Sequence, residues 1–419
     1  MYHTAGKGTR LSPLPGAENN NKPGVKLPAT ITIGDKEYPI TILEAVIKQT
    51  GCYASSRPGR LSVFWGDQVF IPTAPVEYVV DSHVDILCSL GPMVDEKTWQ
   101  EKGMNKYGLI AKNKDGKTAQ VEKVDHADAV KLLKNLGDID GVGTSLGSFS
   151  VSWQILGSLL TEFSAELEAK KGKFDSDPHL WMPMTLEKDS YLQLMGQKGV
   201  SADEAGPHFD RIAAMMVTFH TKFPDSKYGI FGAADTGLGL QWWDYGQLKL
   251  YKRNTLIITE NTIEAELMRL FLGIKEGDYC VNSSVEGTNV DSSRIFASTL
   301  SGGTVKGSVL VNVRCNYIEA EDCVLMNVTG DRIIAKKGSV IYNVADKEGA
   351  LLSAGLVDGS VVTGVFSSDG SQTVIQSQME IDGGKAWHEK VQGNAHSFDD
   401  VYKMNGDADP LSLEAKVCL

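Results

Sequence analysis

The sequence predicts an α/β domain followed by a C-terminal β-domain, on three observations. Short apolar runs alternate with helical patterns from residue 1 to about residue 270. The texture then shifts to Val, Ile, Ser, Asn and Gly with few helix formers. Within that second part a motif recurs as Val309-Leu310-Val311-Asn312-Val313, Val324-Leu325-Met326-Asn327-Val328 and Val340-Ile341-Tyr342-Asn343-Val344, offset by 15 and then 16 residues. Strands interleaved with helices indicate a mixed, mainly parallel sheet. A repeat slightly shorter than three hexapeptides indicates a parallel β-helix with clipped coils, with a meandering β-sandwich as the competing reading.

Taken in order, Leu61 to Trp65 is strand-like, Thr41 to Gln49 has helical spacing, and Trp153 to Lys170 reads as one longer amphipathic helix. The proline- and aspartate-bearing stretch from Gly172 to Pro224, with a helical piece near Asp210 to His220, reads as an elaboration of the first domain. Glu260 to Leu272 is amphipathic and is ended by Gly273. The division expected is therefore 1–272 and 273–419, with a polar, acidic tail from Gly383 that packs loosely or lies along the surface.

At 419 residues the chain exceeds one ordinary core, and 42% hydrophobic with 22% charged residues is globular usage. A net charge of -12 argues against nucleic acid as the partner, because phosphate backbones are gripped by an excess of Lys and Arg. The cysteines Cys52, Cys88, Cys280, Cys315, Cys323 and Cys418 show no metal-ligand spacing, so buried reduced thiols are expected. No apolar run of about 18 residues suggests a membrane span. A soluble protein of a reducing compartment such as the cytoplasm is the expectation, with trimming from a longer precursor and a homo-oligomer left open.

The strongest chemical signal is Ala5-Gly6-Lys7-Gly8-Thr9-Arg10-Leu11-Ser12-Pro13-Leu14, followed by Asn21-Lys22-Pro23. Glycines at 6 and 8 allow close backbone approach to a phosphate chain, and Arg10 and Lys22 supply the charge that a leaving pyrophosphate needs. Lys7 and Lys26 flank the loop, each as readily a solvated surface lysine as a phosphate contact. Asp67 and Asp244 each follow an apolar or aromatic run and precede a turn, which exposes a carboxylate at a strand end; two such aspartates suffice for Mg²⁺. His3 reads as structural, and His179 with Trp181 as part of a packed loop.

These residues resemble the sugar-nucleotide pyrophosphorylase family, whose loop reads G-G-x-G-T-R-L-x-P-L-T followed by K-P. Here Ala5 replaces the first glycine and Pro15 the final threonine. The resemblance continues through Gly66-Asp67, Tyr107-Gly108, Glu122-Lys123 (with Val124 where proline is usual), Gly147, and Trp242-Trp243-Asp244-Tyr245-Gly246. It implies a Rossmann-like nucleotidyltransferase fold with a left-handed β-helix behind it. The implied roles are Gly6, Lys7, Gly8, Thr9 and Arg10 on the nucleotide, Arg10 and Lys22 in catalysis, Asp67 and Asp244 on Mg²⁺, and Gly108, Glu122, Lys123 and Gly147 on the sugar phosphate.

The implied reaction joins a nucleoside triphosphate to a sugar 1-phosphate with release of pyrophosphate. The extended loop from Gly16 to Pro28 is similar to the divergent UDP-glucose pyrophosphorylase type of plastids and algae, which favours UTP and glucose 1-phosphate. The stretch between the glycine loop and Asp67 is shorter than in the family and holds no copy of its base-reading segment. A binding or regulatory homologue without turnover, and adenylyl or guanylyl transfer, therefore remain the alternatives. Acyl transfer by the coils is disfavoured, since residues 277 to 380 contain no histidine.

Overall fold

A computed structural model describes residues 1–4, 6–50, 57–72, 80–169, 180–346, 348–367 and 369–405. Ala5, Cys52, Lys170, His179 and Cys418 lie outside the described residues. The chain forms two compact units that interleave in sequence. The first takes Met1–His3, Thr50–Trp65 and Pro72–Gln241; the second takes Thr4–Gln49, Gly66–Ile71 and the chain from Trp242 onward. The stretch 1–272, expected as one domain, thus contributes to both.

The first unit is built on a seven-stranded sheet in the order Tyr2–His3, Arg60–Trp65, Ile139–Ser152, Ser82–Gly91, Gly229–Asp235, with the hairpin Gly108–Asn113 and Thr118–Glu122 added on Ile139–Ser152. The sheet is mixed, but its parallel share is smaller than expected. Tyr2–His3 lies parallel to Arg60–Trp65, and Gly229–Asp235 parallel to Ser82–Gly91. The long strand Ile139–Ser152 runs against all three of its neighbours. Val84, Ile86, Val151, Ile155, Phe219 and Phe231 fill the core beneath it. Burying side chains of this size contributes roughly 1.5 to 3 kcal/mol each.

Local chemistry sets the helices. The single helix expected over Trp153 to Lys170 is two, Trp153–Glu162 and Ser164–Ala169, because Phe163 leaves helical geometry at φ -101° and ψ 19°. Ser152 starts the first by accepting from the Ile155 N–H at 3.3 Å. The helical piece expected near Asp210 is the 21-residue helix Ala202–Lys222, capped by Ser201. Trp181, expected in a packed loop, opens the short helix Trp181–Thr185 and packs edge-on against Phe149 with ring centroids 5.3 Å apart. Among the described residues no helix is long and apolar enough to cross a membrane.

A buried polar network ties together the interior strands Arg60–Trp65, Ile139–Ser152 and Ser82–Gly91. The Arg60 guanidinium pairs with Asp85 at 2.7 Å and donates to the carbonyls of Ser82 and His83. His83, fully buried, lies between Ser152 at 2.8 Å and Ser226 at 2.6 Å. Burial, reinforced by the nearby Arg60, lowers its pKa below the ordinary 6.5. Between those two values the unfolded chain holds a proton that the folded chain lacks, so stability falls as pH drops through 6.5. The expected slope is at most about 1.4 kcal/mol per pH unit. Thermal unfolding followed from pH 8 to pH 5 should show this loss in the wild type and less of it in His83→Gln; parallel curves would exclude His83 as its source.

The second unit contains a parallel β-solenoid of about four turns over residues 280–346, which decides against the sandwich. One sheet stacks Cys280–Val281, Arg294–Phe296, Val309–Cys315, Val324–Gly330, Val340–Asp346 and Ser360–Phe366; a second stacks Thr288–Asp291, Gly303–Lys306, Tyr317–Glu321 and Arg332–Ala335. Val309 aligns with Val324 and then Val340, so the sequence offsets are the coil lengths. Ile295, Leu310, Leu325 and Ile341 form one column of the dry core.

The corners explain the repeated asparagine. Asn282, Ala297, Asn312, Asn327 and Asn343 all sit at φ between 48° and 53°, a left-handed conformation that Asn tolerates better than most residues. Their amides form a ladder: Asn312 donates to Asn327, and Asn327 to Asn343, each at 3.0 Å. At the opposite inner corner the buried Ser293 and Ser308 hydroxyls accept the N–H of Ser308 and Cys323 in the next coil, both at 3.0 Å.

The segment after Gly383 is packed, contrary to expectation, through residue 405. Trp387, Phe398 and Val401 are buried with Val365 and Ile375, and Ser397 opens the helix Phe398–Met404 with a reciprocal capping box. Its polar composition obscured three large apolar anchors. Cys88, Cys315 and Cys323 are buried free thiols, while Cys280 is exposed.

Candidate active site

The glycine loop, Lys22, Asp67 and Asp244 all belong to the second unit. Gly8, at φ 66°, turns the chain into the short 3-10 helix Thr9–Leu11, which Leu11 and Leu14 anchor in the core. A methyl group on Gly8 would stand 3.2 Å from Pro15 and 3.3 Å from the Lys22 side chain. Glycine therefore lets the loop lie directly on the Lys22-Pro23 turn.

Asp67 precedes the strand Gln68–Ile71, whose Val69 and Phe70 are buried. That strand pairs with Gln241–Asp244, and the Tyr245 N–H donates to the Asp67 carbonyl at 2.9 Å. Buried Trp243 and Tyr245 hold the second strand from either side of Asp244. Asn254, on the helix Leu248–Leu256, donates to the Asp244 carbonyl at 2.9 Å. Gln49 clasps the first strand by donating to the Gln68 carbonyl and accepting from the Phe70 N–H.

Gly246 separates the two carboxylates. A methyl group there would lie 2.9 Å from Asp67 Oδ2 and 3.0 Å from Asp244 Oδ1, so the oxygens are no farther apart than those two legs end to end. The Gly246 N–H donates to Asp244 Oδ1 at 2.7 Å. Lys22 Nζ reaches Asp67 Oδ2 at 2.7 Å, with both side chains largely buried. Burial pushes the Asp244 carboxyl above its usual range and the Asp67 charge adds to the rise; the Gly246 N–H, Arg10 and Lys22 oppose it.

Asp67 Oδ1 is buried with no hydrogen-bond partner. A buried anionic oxygen without a partner is costly, and a hard cation would satisfy it. Among the described residues no group of three or more His, Cys, Asp or Glu is placed to hold a metal. Two carboxylates nonetheless match the protein donors that Mg²⁺ ordinarily takes when phosphate and water complete its shell.

The flanking lysines are engaged elsewhere. Lys7 Nζ lies over the rings of Tyr402 at 5.0 Å and Trp387 at 5.6 Å, and Lys26 pairs with Glu18 above the Tyr342 ring. Glu18 also accepts from Tyr342 and, at 3.1 Å, from Asn343, so the asparagine ladder ends on the stretch that carries Lys22. The sequence reading passed over Glu18, Asn254 and the role of the recurring Asn.

Gly108, Glu122, Lys123 and Gly147 lie in the first unit. Gly108 and Glu122 are cross-strand partners, and a methyl group at Gly108 would collide with the Glu122 carboxylate. Lys123 turns at φ 52° with its N–H on the Tyr107 carbonyl at 3.1 Å. Gly147, at φ 73°, faces the Trp65 indole, to which a methyl group would come within 2.6 Å. His3 packs edge-on against the same indole. No family model matches the chain, and no curated protein matches it.

Proposed function

We propose that this protein is a nucleotidyltransferase that joins a sugar 1-phosphate to a nucleoside triphosphate and releases pyrophosphate. The observation that carries the reading is the convergence of Lys22, Asp67 and Asp244, from three distant stretches of chain, beside a glycine loop bearing Arg10. The preference for UTP and glucose 1-phosphate rests on the sequence resemblance alone. On this reading the mixed sheet belongs to a Rossmann-like nucleotidyltransferase fold, and the solenoid is left-handed.

The phosphate oxygen of the sugar attacks the α-phosphorus in line, and the bond from that phosphorus to the oxygen bridging to the β-phosphate breaks. Asp67 and Asp244 would hold Mg²⁺, which when bound offsets phosphate charge. Arg10, exposed and unpaired among the described residues, is available to the departing pyrophosphate. Gly6 and Gly8 leave the backbone open to the triphosphate. Gly108, Glu122, Lys123 and Gly147 are the residues assigned to the sugar phosphate. Positioning and charge neutralisation supply the rate, since phosphoryl chemistry asks little covalent work of the protein.

The test is a panel of four nucleoside triphosphates against several sugar 1-phosphates with Mg²⁺, read as pyrophosphate release. UTP with glucose 1-phosphate is expected to be fastest. Silence across the panel, with no exchange of labelled pyrophosphate into any triphosphate, would overturn the reading in favour of a binding protein.

A further inference from the structure

The Lys22 ammonium sits where a divalent cation would compete with it. It pairs with Asp67 Oδ2 at 2.7 Å, and its side chain and that of Asp67 are only 12% and 8% exposed. The other Asp67 oxygen, Oδ1, is buried and without a partner, and Asp244 Oδ1 lies across the Gly246 position from Asp67 Oδ2. Two carboxylates this close, both largely removed from solvent, repel each other unless a positive charge lies near them. In this structure Lys22 supplies that charge.

We propose that Lys22 is a stand-in cation, holding Asp67 while no nucleotide is bound and releasing it when a triphosphate offers the ammonium a stronger anionic partner. The proposal rests on the reading of Asp67 and Asp244 as the metal carboxylates. A divalent ion arriving alone would meet a carboxylate already neutralised by an ammonium hydrogen-bonded to it. It therefore binds weakly. A triphosphate draws Lys22 toward its phosphates and leaves Asp67 free, so metal and nucleotide assist each other. The movement asked of Lys22 is small, because its side chain lies along Gly8 of the loop that receives the phosphates.

The experiment titrates Mn²⁺ into nucleotide-free protein and reads the free ion by electron paramagnetic resonance. Wild type, Lys22→Met, Lys22→Arg and Asp67→Asn are compared. Lys22→Met keeps the alkyl stem beside Gly8 and removes the charge; it is expected to tighten Mn²⁺ by about tenfold or more, the scale of one charge-assisted contact. Lys22→Arg keeps the charge and should remain weak. Asp67→Asn should abolish the site, alone and when combined with Lys22→Met. Lys22→Gln, read by the Mn²⁺-induced rise in Tm, gives the same comparison should Lys22→Met fold poorly.

Unchanged or weaker Mn²⁺ binding in the neutral variants, with Asp67-dependent binding present in the wild type, overturns the stand-in role and leaves the metal site standing. Absence of Asp67-dependent binding in every variant overturns the metal site itself, and the proposal with it.

Discussion

Asp67→Asn and Asp244→Asn are each expected to lower turnover on the order of a hundred- to a thousandfold while leaving the fold intact. Each change removes one of the two charges facing the gap at Gly246, and charge placed at a phosphate site is where such losses arise. The fold should survive because the backbone carbonyls of both residues keep their bonds, from the Tyr245 N–H to Asp67 and from Asn254 to Asp244, and an asparagine at 244 keeps an oxygen for the Gly246 N–H. An asparagine at 67 also keeps an oxygen that accepts from Lys22. The double variant should be little worse than the poorer single one, since both carboxylates would act through one ion. Steady-state kinetics beside circular dichroism checks all three. Multiplicative losses would mean that the two aspartates act independently.

Gly303→Val is expected to destabilise the second unit by about 3 kcal/mol or more, combining backbone strain with overpacking. Gly303 sits at φ 105° and is stacked on Ile318 of the next coil. Any Cβ there would run into the Ile318 carbonyl oxygen, with the Ile318 backbone nitrogen and carbon also only 2.8 Å away. Backbone held by ladder bonds on both sides cannot move aside cheaply. Gly277→Ala is the control: it has open space around it, and its expected effect is within about 0.5 kcal/mol. Denaturant unfolding of the two variants beside the wild type measures the difference. Equal midpoints would show that the coils yield more readily than their packing implies.

Much of this architecture was legible because it depends on local pattern. The spacing of Val309, Val324 and Val340 is a coil length, and it survives into the structure as register. The amphipathic stretch expected from Glu260 to Leu272 and its stop at Gly273 were legible, because both are set by local pattern; the structure starts that helix at Ile263, capped by Thr262. The repeated Asn was visible in every copy of the motif and went unread; a left-handed corner repeated once per coil is what requires it. The break at Phe163 and the packing of Trp387 and Phe398 were hidden, since both depend on what those rings are buried against.

By itself the sequence determined the alternation of strand and helix, the coil repeat, and the residue types of the proposed site: the loop glycines, Arg10 and Lys22, and the two aspartates beside strands. Only the tertiary structure decided which stretches share a unit. It split 1–272 between two compact bodies, made the sheet more antiparallel than expected, and put Lys22 on Asp67 across 45 residues of chain. The physical reason is one of range. Periodicity, caps and turns report forces within a few residues, whereas an ion pair, a sheet neighbour or a solenoid corner resting on Glu18 depends on chain closures that no local pattern records.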